Sequence, residues 1–481
     1  MRRRELLALL GATGWVGQCR ATEAAPVWSE ALRREARDLL ERAGEHGLAP
    51  GDYREGPVEA AFALFLRHLH GGRVRPADLG FRVRGGALDG GPVEAALRSA
   101  VAAGRLRDAV EALAPPLAQY TQLRAALAQY RSLAARAPFA PLPVVKKARA
   151  GDAYAGAPAL RERLVAFGDL EADAPVSATH LDDSLAAALR RFQTRHGLEA
   201  DGVLGRATLA ALAVAPASRV RQIELAMERL RWLPRRTGRP FVAINIPMFR
   251  LWAWDGASPE ASPALAMGVI VGRAMRTQTP VFADEMTHLV FRPYWNVPRS
   301  ILRNEVLPAI ERDAGYLARH DMEIVAGGGD DARPLAPTPD TLAALHAGAL
   351  RVRQRPGPKN SLGLVKFIFP NDDNVYLHGT PAMSLFARSR RDFSHGCVRV
   401  ENPPALAQWL LRDQPAWTAE RIEAAMQGTQ TLQVNLRSAV PVILYYLTAA
   451  LSPDDGLLHF ADDLYGHDAK LERALAARRS R

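Results

Sequence analysis

Phe241-Val242-Ala243-Ile244-Asn245-Ile246-Pro247-Met248-Phe249-Arg250-Leu251-Trp252-Ala253-Trp254 is the most telling stretch of this 481-residue chain for its architecture. Two β-rich runs flank Pro247-Met248, which predicts a hairpin over 241–246 and 249–254. Further short β-rich runs follow at 264–271 and 288–291, split by Pro and Gly. Helical patterns intervene at 299–312 and 404–412. Residues 217–430 are therefore expected to form a β-dominated domain with inserted helices. The run 318–363, rich in Gly, Asp and Pro, reads as a mobile part of an insertion at about 300–365, either a lid or a plain surface excursion. The apolar run 439–451 contains Pro441 and is too short to span a bilayer, which needs about 20 residues, so it reads as a buried strand. Residues 431–481 are expected to pack as an extension on the other domains.

Working back toward the N-terminus, the pattern changes. Segments 31–44, 58–71, 92–104 and 117–135 carry apolar residues at three- and four-residue spacing, broken by Gly and Pro, so 26–145 reads as a helical scaffold. His68 and His70 lie here at a spacing that does not place a metal pair on one helix face. Pro138-Phe139-Ala140-Pro141-Leu142-Pro143 is a stiff linker. Residues 146–216 form a compact helical module, with one helix at 160–167 and Asp182-Asp183-Ser184 offering a cap for another at 185–196.

The ends and the composition set the context. A basic start, a short apolar stretch and small residues at 21–25 make 1–25 a signal-peptide pattern with cleavage near Ala24. Arg3-Arg4 also resembles a twin-arginine signal, and Cys19 leaves a lipoprotein reading open. The expected location is the periplasm. The net charge of +11 is spread over Ala/Leu-rich helices without an aromatic-interleaved patch. That favours solvated basic faces over nucleic-acid binding.

Of two cysteines, Cys19 falls in the signal, so the mature chain keeps one thiol, Cys397, in Ser394-His395-Gly396-Cys397-Val398-Arg399. An exported protein risks oxidation by keeping a lone cysteine, so a reactive thiol beside histidines is the favoured reading over an inert core residue. His378 lies at the end of an apparent strand over 374–377, from which a returning loop could bring it to the thiol. Gly396 lets backbone approach a substrate, with the N–H groups of 396 and 397 aimed at a developing oxyanion. Arg399 could hold an anionic group. Neither a HExxH nor a CxxC pattern occurs, so no metal or other cofactor is expected.

Two resemblances follow from these residues. Phe192-Gln193, His196-Gly197-Leu198, Asp201-Gly202, Gly205 and Thr208 resemble the signature of the three-helix peptidoglycan-binding domain. His378-Gly379-Thr380 with Phe393-Ser394-His395-Gly396-Cys397-Val398-Arg399 resembles the active-site signature of the L,D-transpeptidases with a YkuD-type catalytic domain. Arg388–Phe393, Tyr294-Trp295-Asn296-Val297-Pro298 and Pro356-Gly357-Pro358-Lys359-Asn360 resemble its long, YcbB-like periplasmic subgroup. Gly379 departs from that subgroup, which often carries Asp there; the family uses the backbone carbonyl. The expected fold class is α+β multidomain: helical scaffold, three-helix peptidoglycan-binding module, and β-rich YkuD-type domain with a helical, lid-like insertion.

The resemblance implies roles. Cys397 is the nucleophile, His378 its general base, and the Gly379 carbonyl orients His378. His395 either shapes the pocket and the thiol's charge state or holds the loop. Arg399 anchors the loop or the substrate. Tyr294, Trp295 and Asn296 are cleft residues unless they serve aromatic packing, and Tyr376 joins the substrate-binding set. The implied reaction is attack on the third stem residue of a peptidoglycan tetrapeptide, loss of D-alanine, and 3→3 cross-linking through a thioester. The family also implies acylation by carbapenems. Rival readings are an L,D-carboxypeptidase, a protein-anchoring enzyme, and a non-catalytic wall-binding scaffold. A depressed thiol pKa is expected for the catalytic readings. Expected partners are peptidoglycan stem peptides and glycan, with cell-wall synthesis proteins as further candidates, for a monomer.

Overall fold

The computed structural model describes residues 28–83, 90–175, 177–234, 238–256, 262–329 and 332–479. The signal pattern at 1–25, Cys19 included, lies outside them. No helix among the described residues is long and apolar enough to cross a membrane.

The N-terminal half is helical: α1 (Glu30–Glu41), α2 (Val58–Gly71), α3 (Gly90–Ala103), α4 (Leu106–Leu113) and α5 (Ala118–Ala134), then α6 (Ala157–Ala166), α7 (Asp183–Arg195), α8 (Arg206–Leu212) and α9 (Pro216–Leu230). Local chemistry sets several boundaries. Ser29 caps α1 and Asp182 caps α7, each accepting a backbone N–H three residues on. Pro216 opens α9 at a position where its missing N–H costs nothing. Phe62, Phe65, Leu123, Leu160, Phe192 and Met227 belong to one continuous core, so the scaffold and the 146–216 module are packed together.

Within that module the signature residues hold one another. The buried Gln193 amide donates to Asp201 Oδ1 at 3.0 Å, to the Val203 carbonyl at 3.0 Å and to Thr208 Oγ1 at 3.1 Å. Its oxygen accepts the Gly202 N–H at 2.8 Å. Arg195 and Asp169 form a buried ion pair beside it at 2.6 Å.

Two expectations need correction here. Helix α9 packs mainly on α5, so 217–230 belongs with the helices and the β domain starts at Phe241. The arginines are also not all on solvated faces. Arg231 and Glu228 are fully buried and paired at 2.9 Å, and Glu228 also takes the Arg73 and Val74 N–H groups. Arg231 further donates to Tyr120 Oη at 3.1 Å. Burying a charge is tolerable only with such pairing, and this network ties α9 to the scaffold.

Among the described residues the main sheet of the β domain has nine strands: β1 (Phe241–Asn245), β2 (Arg250–Trp254), β3 (Leu265–Gly272), β4 (Phe282–Phe291), β5 (Val365–Ile368), β6 (Leu377–His378), β7 (Asp392–Ser394), β8 (Val398–Val400) and β9 (Leu432–Tyr445). They pair in the order β7-β3-β8-β6-β5-β4-β9-β1-β2, and β2 also pairs with β3, closing a ring of eight with β7 appended. The expected hairpin is β1–β2, with Phe241 opposite Trp254 and Asn245 opposite Arg250. Leu251, Val269, Leu289, Phe367, Leu377, Val398 and Leu444 fill the core.

Strand β9 overturns the reading of 431–481 as an extension, since residues 432–445 lie inside the sheet between β4 and β1. Pro441 is accommodated because pairing with β1 begins only at Val442. The rest of the C-terminus, with Leu447, Phe460 and Leu471, packs on both cores.

The segment read as a mobile insertion is a folded subdomain. Strands Met322–Val325, Pro334–Leu335 and Arg351–Gln354 join Trp295–Asn296 in a four-stranded sheet. Helix Pro339–His346 starts at a capping box formed by Thr338 and Thr341. Leu302, Val306, Ile310, Ile324, Leu345 and Val352 make its own core. Gly348 and Pro339 sit in a turn and at the start of a helix of this small fold.

Candidate active site

Sheet register brings the signature residues together. His378 on β6 is opposite Arg399 on β8 and opposite Lys366 on β5. Directly opposed residues share a face and neighbours alternate. Leu377, Phe367 and Val398 therefore point into the core, while His378, Arg399 and Lys366 point to the other face. The pairing continues one step before the strands, where the Val398 N–H donates to the Tyr376 carbonyl at 3.1 Å. Tyr376 and Cys397 thereby join the same face, and the Tyr376 ring lies 5.7 Å from the His378 ring.

His378 is only 5% exposed. Its Nδ1 lies 2.6 Å from the Gly379 carbonyl oxygen. A carbonyl can only accept, so Nδ1 carries the proton and Nε2 keeps the lone pair. Burial, and then the charge of Arg399, push its pKa down to about 3, so the ring is neutral. The Gly379 backbone is crossed closely by Gly363, whose φ is +65° and where a Cβ would lie 2.7 Å from the Gly379 carbonyl carbon. A side chain at 363 would displace the carbonyl that orients the base.

The Cys397 thiol donates to the Asn374 carbonyl at 3.7 Å. Burial pushes its pKa up, opposed by the backbone and hydroxyl of Tyr376 and by Arg399. The expected depressed thiol pKa is therefore not what this environment produces, because desolvation outweighs the nearby cation. Burial, and then the thiol itself, raise the Tyr376 hydroxyl. The resting site pairs a neutral thiol with a neutral imidazole.

The loop carrying the thiol is held by residues that sequence reasoning did not single out. Ser394 Oγ donates to the Cys397 carbonyl at 2.5 Å and accepts the Gly396 N–H at 3.2 Å. The Gly396 N–H is thus already engaged, which removes one of the two expected oxyanion donors and leaves that of Cys397. Gly396 has φ +117°, a conformation that favours glycine. Thr279 Oγ1 donates to the Gly396 carbonyl at 2.8 Å and accepts the Gly272 N–H at 2.8 Å. The Tyr465 hydroxyl donates to the Gly272 carbonyl at 2.7 Å. Ser394 could have been noted as a motif residue; Thr279 and Tyr465, more than a hundred and nearly seventy residues from Cys397, carry no local signal.

The other expected site residues divide. Arg399 is partly buried with an Nε that has no partner, and Arg273 is close enough to lower its pKa, after burial. His395 Nε2 lies 2.7 Å from Glu305 Oε1, on a π turn of the insertion spanning Leu302–Val306. Its bonded partner is that carboxylate, so it ties the loop to the insertion. Tyr294 is stacked under the Arg353 guanidinium, 4.2 Å from the ring centroid. Trp295 and Asn296 pair with Gln354 and Arg353 in the insertion sheet, where Trp295 packs on the small core and Asn296 accepts from Arg351. Trp295 thus takes part in the packing of the insertion.

Comparison with known proteins agrees with this geometry. Residues 239–431 match the L,D-transpeptidase catalytic domain, YkuD, residues 156–212 match the "Putative peptidoglycan binding domain", and residues 20–127 match the "Scaffold domain". A Haemophilus influenzae protein named "Putative L,D-transpeptidase" is 34% identical over 253 residues, which is 52% of this chain and 49% of that protein. The chain thus spans about half the length of that curated relative. The peptidoglycan-binding match supports peptidoglycan as a ligand. This chain carries a YkuD L,D-transpeptidase catalytic domain, with Cys397 and His378 on its open sheet face, preceded by a peptidoglycan-binding domain.

Proposed function

We propose that the protein is a cysteine L,D-transpeptidase that forms 3→3 cross-links between peptidoglycan stems in the periplasm, acting as a monomer. The observation that carries this reading is the placement of Cys397 and His378 on one sheet face, with His378 Nδ1 bonded to the Gly379 carbonyl. As sulfur attacks the carbonyl of the third stem residue, the thiol proton passes to His378 Nε2. The tetrahedral oxyanion meets the Cys397 N–H. Collapse breaks the bond to D-alanine, which leaves with the proton from His378, and a thioester remains. The side-chain amine of a second stem then attacks. His378 takes its proton and returns it to the departing sulfur, restoring the thiol.

Mass spectrometry of the full chain incubated with disaccharide-tetrapeptide, beside Cys397→Ala, tests this. The expected result is a Cys397-dependent acyl-enzyme, free D-alanine and a cross-linked dimer. Free D-alanine with only tripeptide would make it an L,D-carboxypeptidase. Folded protein giving neither adduct nor product would overturn the enzyme reading in favour of a wall-binding scaffold.

A further inference from the structure

The catalytic face does not end at His378. Following the register outward, Lys366 on β5 is opposite Val290 on β4, and Val290 is opposite Gln433 on β9. One step along, Ile368, His288 and Asn435 are aligned in the same way. Lys366, Val290, Gln433, Ile368 and His288 floor a trough of about 880 Å³, walled by Tyr294 and Arg355 from the two stems of the insertion and by Thr429 and Thr431 from the loop before β9. Lys366 brings the trough to within one strand of His378, on the flank of β6 opposite to β8 and its Arg399.

We infer that this trough is the subsite for the acceptor stem, a short peptide bearing carboxylates whose side-chain amine attacks the thioester; this rests on the transpeptidase reading above. Three features point to that occupant. The first is position. The acceptor amine must meet both the thioester carbon and His378 Nε2, and the trough comes within one strand of His378.

The second is charge. Lys366 lies on the floor, near enough to His288 to lower its pKa, after burial. Arg355 supplies a second cation, 3.7 Å from Asp321. Two cations, amides and hydroxyls suit a polar anionic peptide. The third is length. Strands lie about 4.8 Å apart, so the three steps from β6 to β9 cover about 14 Å. At about 3.4 Å per residue that accommodates a stem of three or four residues.

The test uses the full chain and the free stem tripeptide ending in diaminopimelate as probe. Titration calorimetry on Cys397→Ser measures tripeptide affinity without turnover. Arg355→Glu reverses a wall charge, and Gln433→Trp fills the far end; both positions are exposed. In the Cys397→Ser background each should weaken tripeptide binding by about ten-fold. In the Cys397 enzyme each should lower the ratio of cross-linked dimer to hydrolysed tripeptide by about ten-fold. Affinity and ratio within two-fold of the parent in both variants would overturn the assignment, as would a fall in acylation by tetrapeptide that accounts for the whole effect. Failure of the transpeptidase reading is seen separately, as absence of a Cys397 acyl-enzyme in the otherwise unmodified chain.

Discussion

The two signature-bearing regions use their polar residues in opposite ways. In the peptidoglycan-binding module, Gln193, Asp201 and Thr208 are bonded to one another and to the loop backbone. In the catalytic domain, Arg399 Nε has no partner, and the thiol makes a long contact to the Asn374 carbonyl beside the Tyr376 hydroxyl. A satisfied polar motif specifies a fold, whereas partly buried groups whose hydrogen-bonding capacity is not filled are available for chemistry. The sharpest way to break this contrast is Cys397→Ala. Loss of the nucleophile should reduce acyl-enzyme formation by about 10⁴-fold or more while the melting temperature stays within about 2 °C. Residual acylation by mass spectrometry would place the nucleophile elsewhere.

A second test sets the buried histidines of the two regions side by side. In the β domain and at its rim, burial first pushes His378 down to about 3 and His467 to about 4. In the scaffold, burial first pushes His46 to about 3 and His68 to about 4, and burial holds His196 in the module well below its ordinary value. The unfolded chain binds these protons first, at its ordinary pKa of about 6.5. Stability should therefore be full above about pH 6.5 and fall as pH drops toward about 4, each histidine adding up to about 1.4 kcal/mol per pH unit. Urea unfolding across this window should show proton uptake on unfolding; release instead would mean that these rings are charged in the native state.

Gln193→Leu targets the fold-specifying motif alone. It leaves the Gly202 N–H and the acceptors on Asp201, Val203 and Thr208 without the amide. Orphaned buried groups cost about 1–3 kcal/mol, so a loss of about 2 kcal/mol in chemical denaturation is expected. Acylation per folded molecule should not change. A drop in acylation with stability intact would show that the module acts on the site.

How much of this was readable in the chain follows the same division. The hairpin over 241–254 was legible because both of its runs are apolar and aromatic with a Pro-containing turn. Only the apolar half of β9 was visible. Its first half carries Gln433 and Asn435, which lie over the open catalytic face and so dilute the hydrophobic signal. The strands of the insertion were not legible because they are two to four residues long, too short for periodicity to register. Cys397 and His378 stood out through local context, but Glu305 opposite His395 and Thr279 under Gly396 depend on contacts across 90 and 117 residues. Tertiary pairing of that kind leaves no local trace.

Ser394→Ala probes the boundary between the two modes, since this hydroxyl is fully satisfied yet lies in the catalytic loop. It bonds the Cys397 carbonyl and the Gly396 N–H. Its loss should free the Gly396 N–H and loosen the thiol, costing about 1 kcal/mol of stability and about ten-fold in acylation. Thr at 394 should restore both. Unchanged acylation would mean that the Gly396 conformation is fixed by Thr279 alone.

The smallest expected effect concerns the resting thiol. Desolvation raises it, while Tyr376 and Arg399 act against that rise. Alkylation of Cys397 by iodoacetamide should therefore be slower than that of free cysteine at neutral pH, and should keep rising with pH past the ordinary thiol value of 9.0. Arg399→Leu should slow it further by removing a cation that favours the thiolate, and Tyr376→Phe should do so by removing the hydroxyl donor. The acylation rate by substrate, in contrast, should stay flat from about pH 5 to 8, because His378 is neutral and the thiol protonated throughout that range. A plateau in alkylation below about pH 7 would instead indicate a preformed thiolate–imidazolium pair. The catalytic face would then differ from the module in charge as well as in satisfaction, and the proton would already reside on His378 before the stem peptide binds.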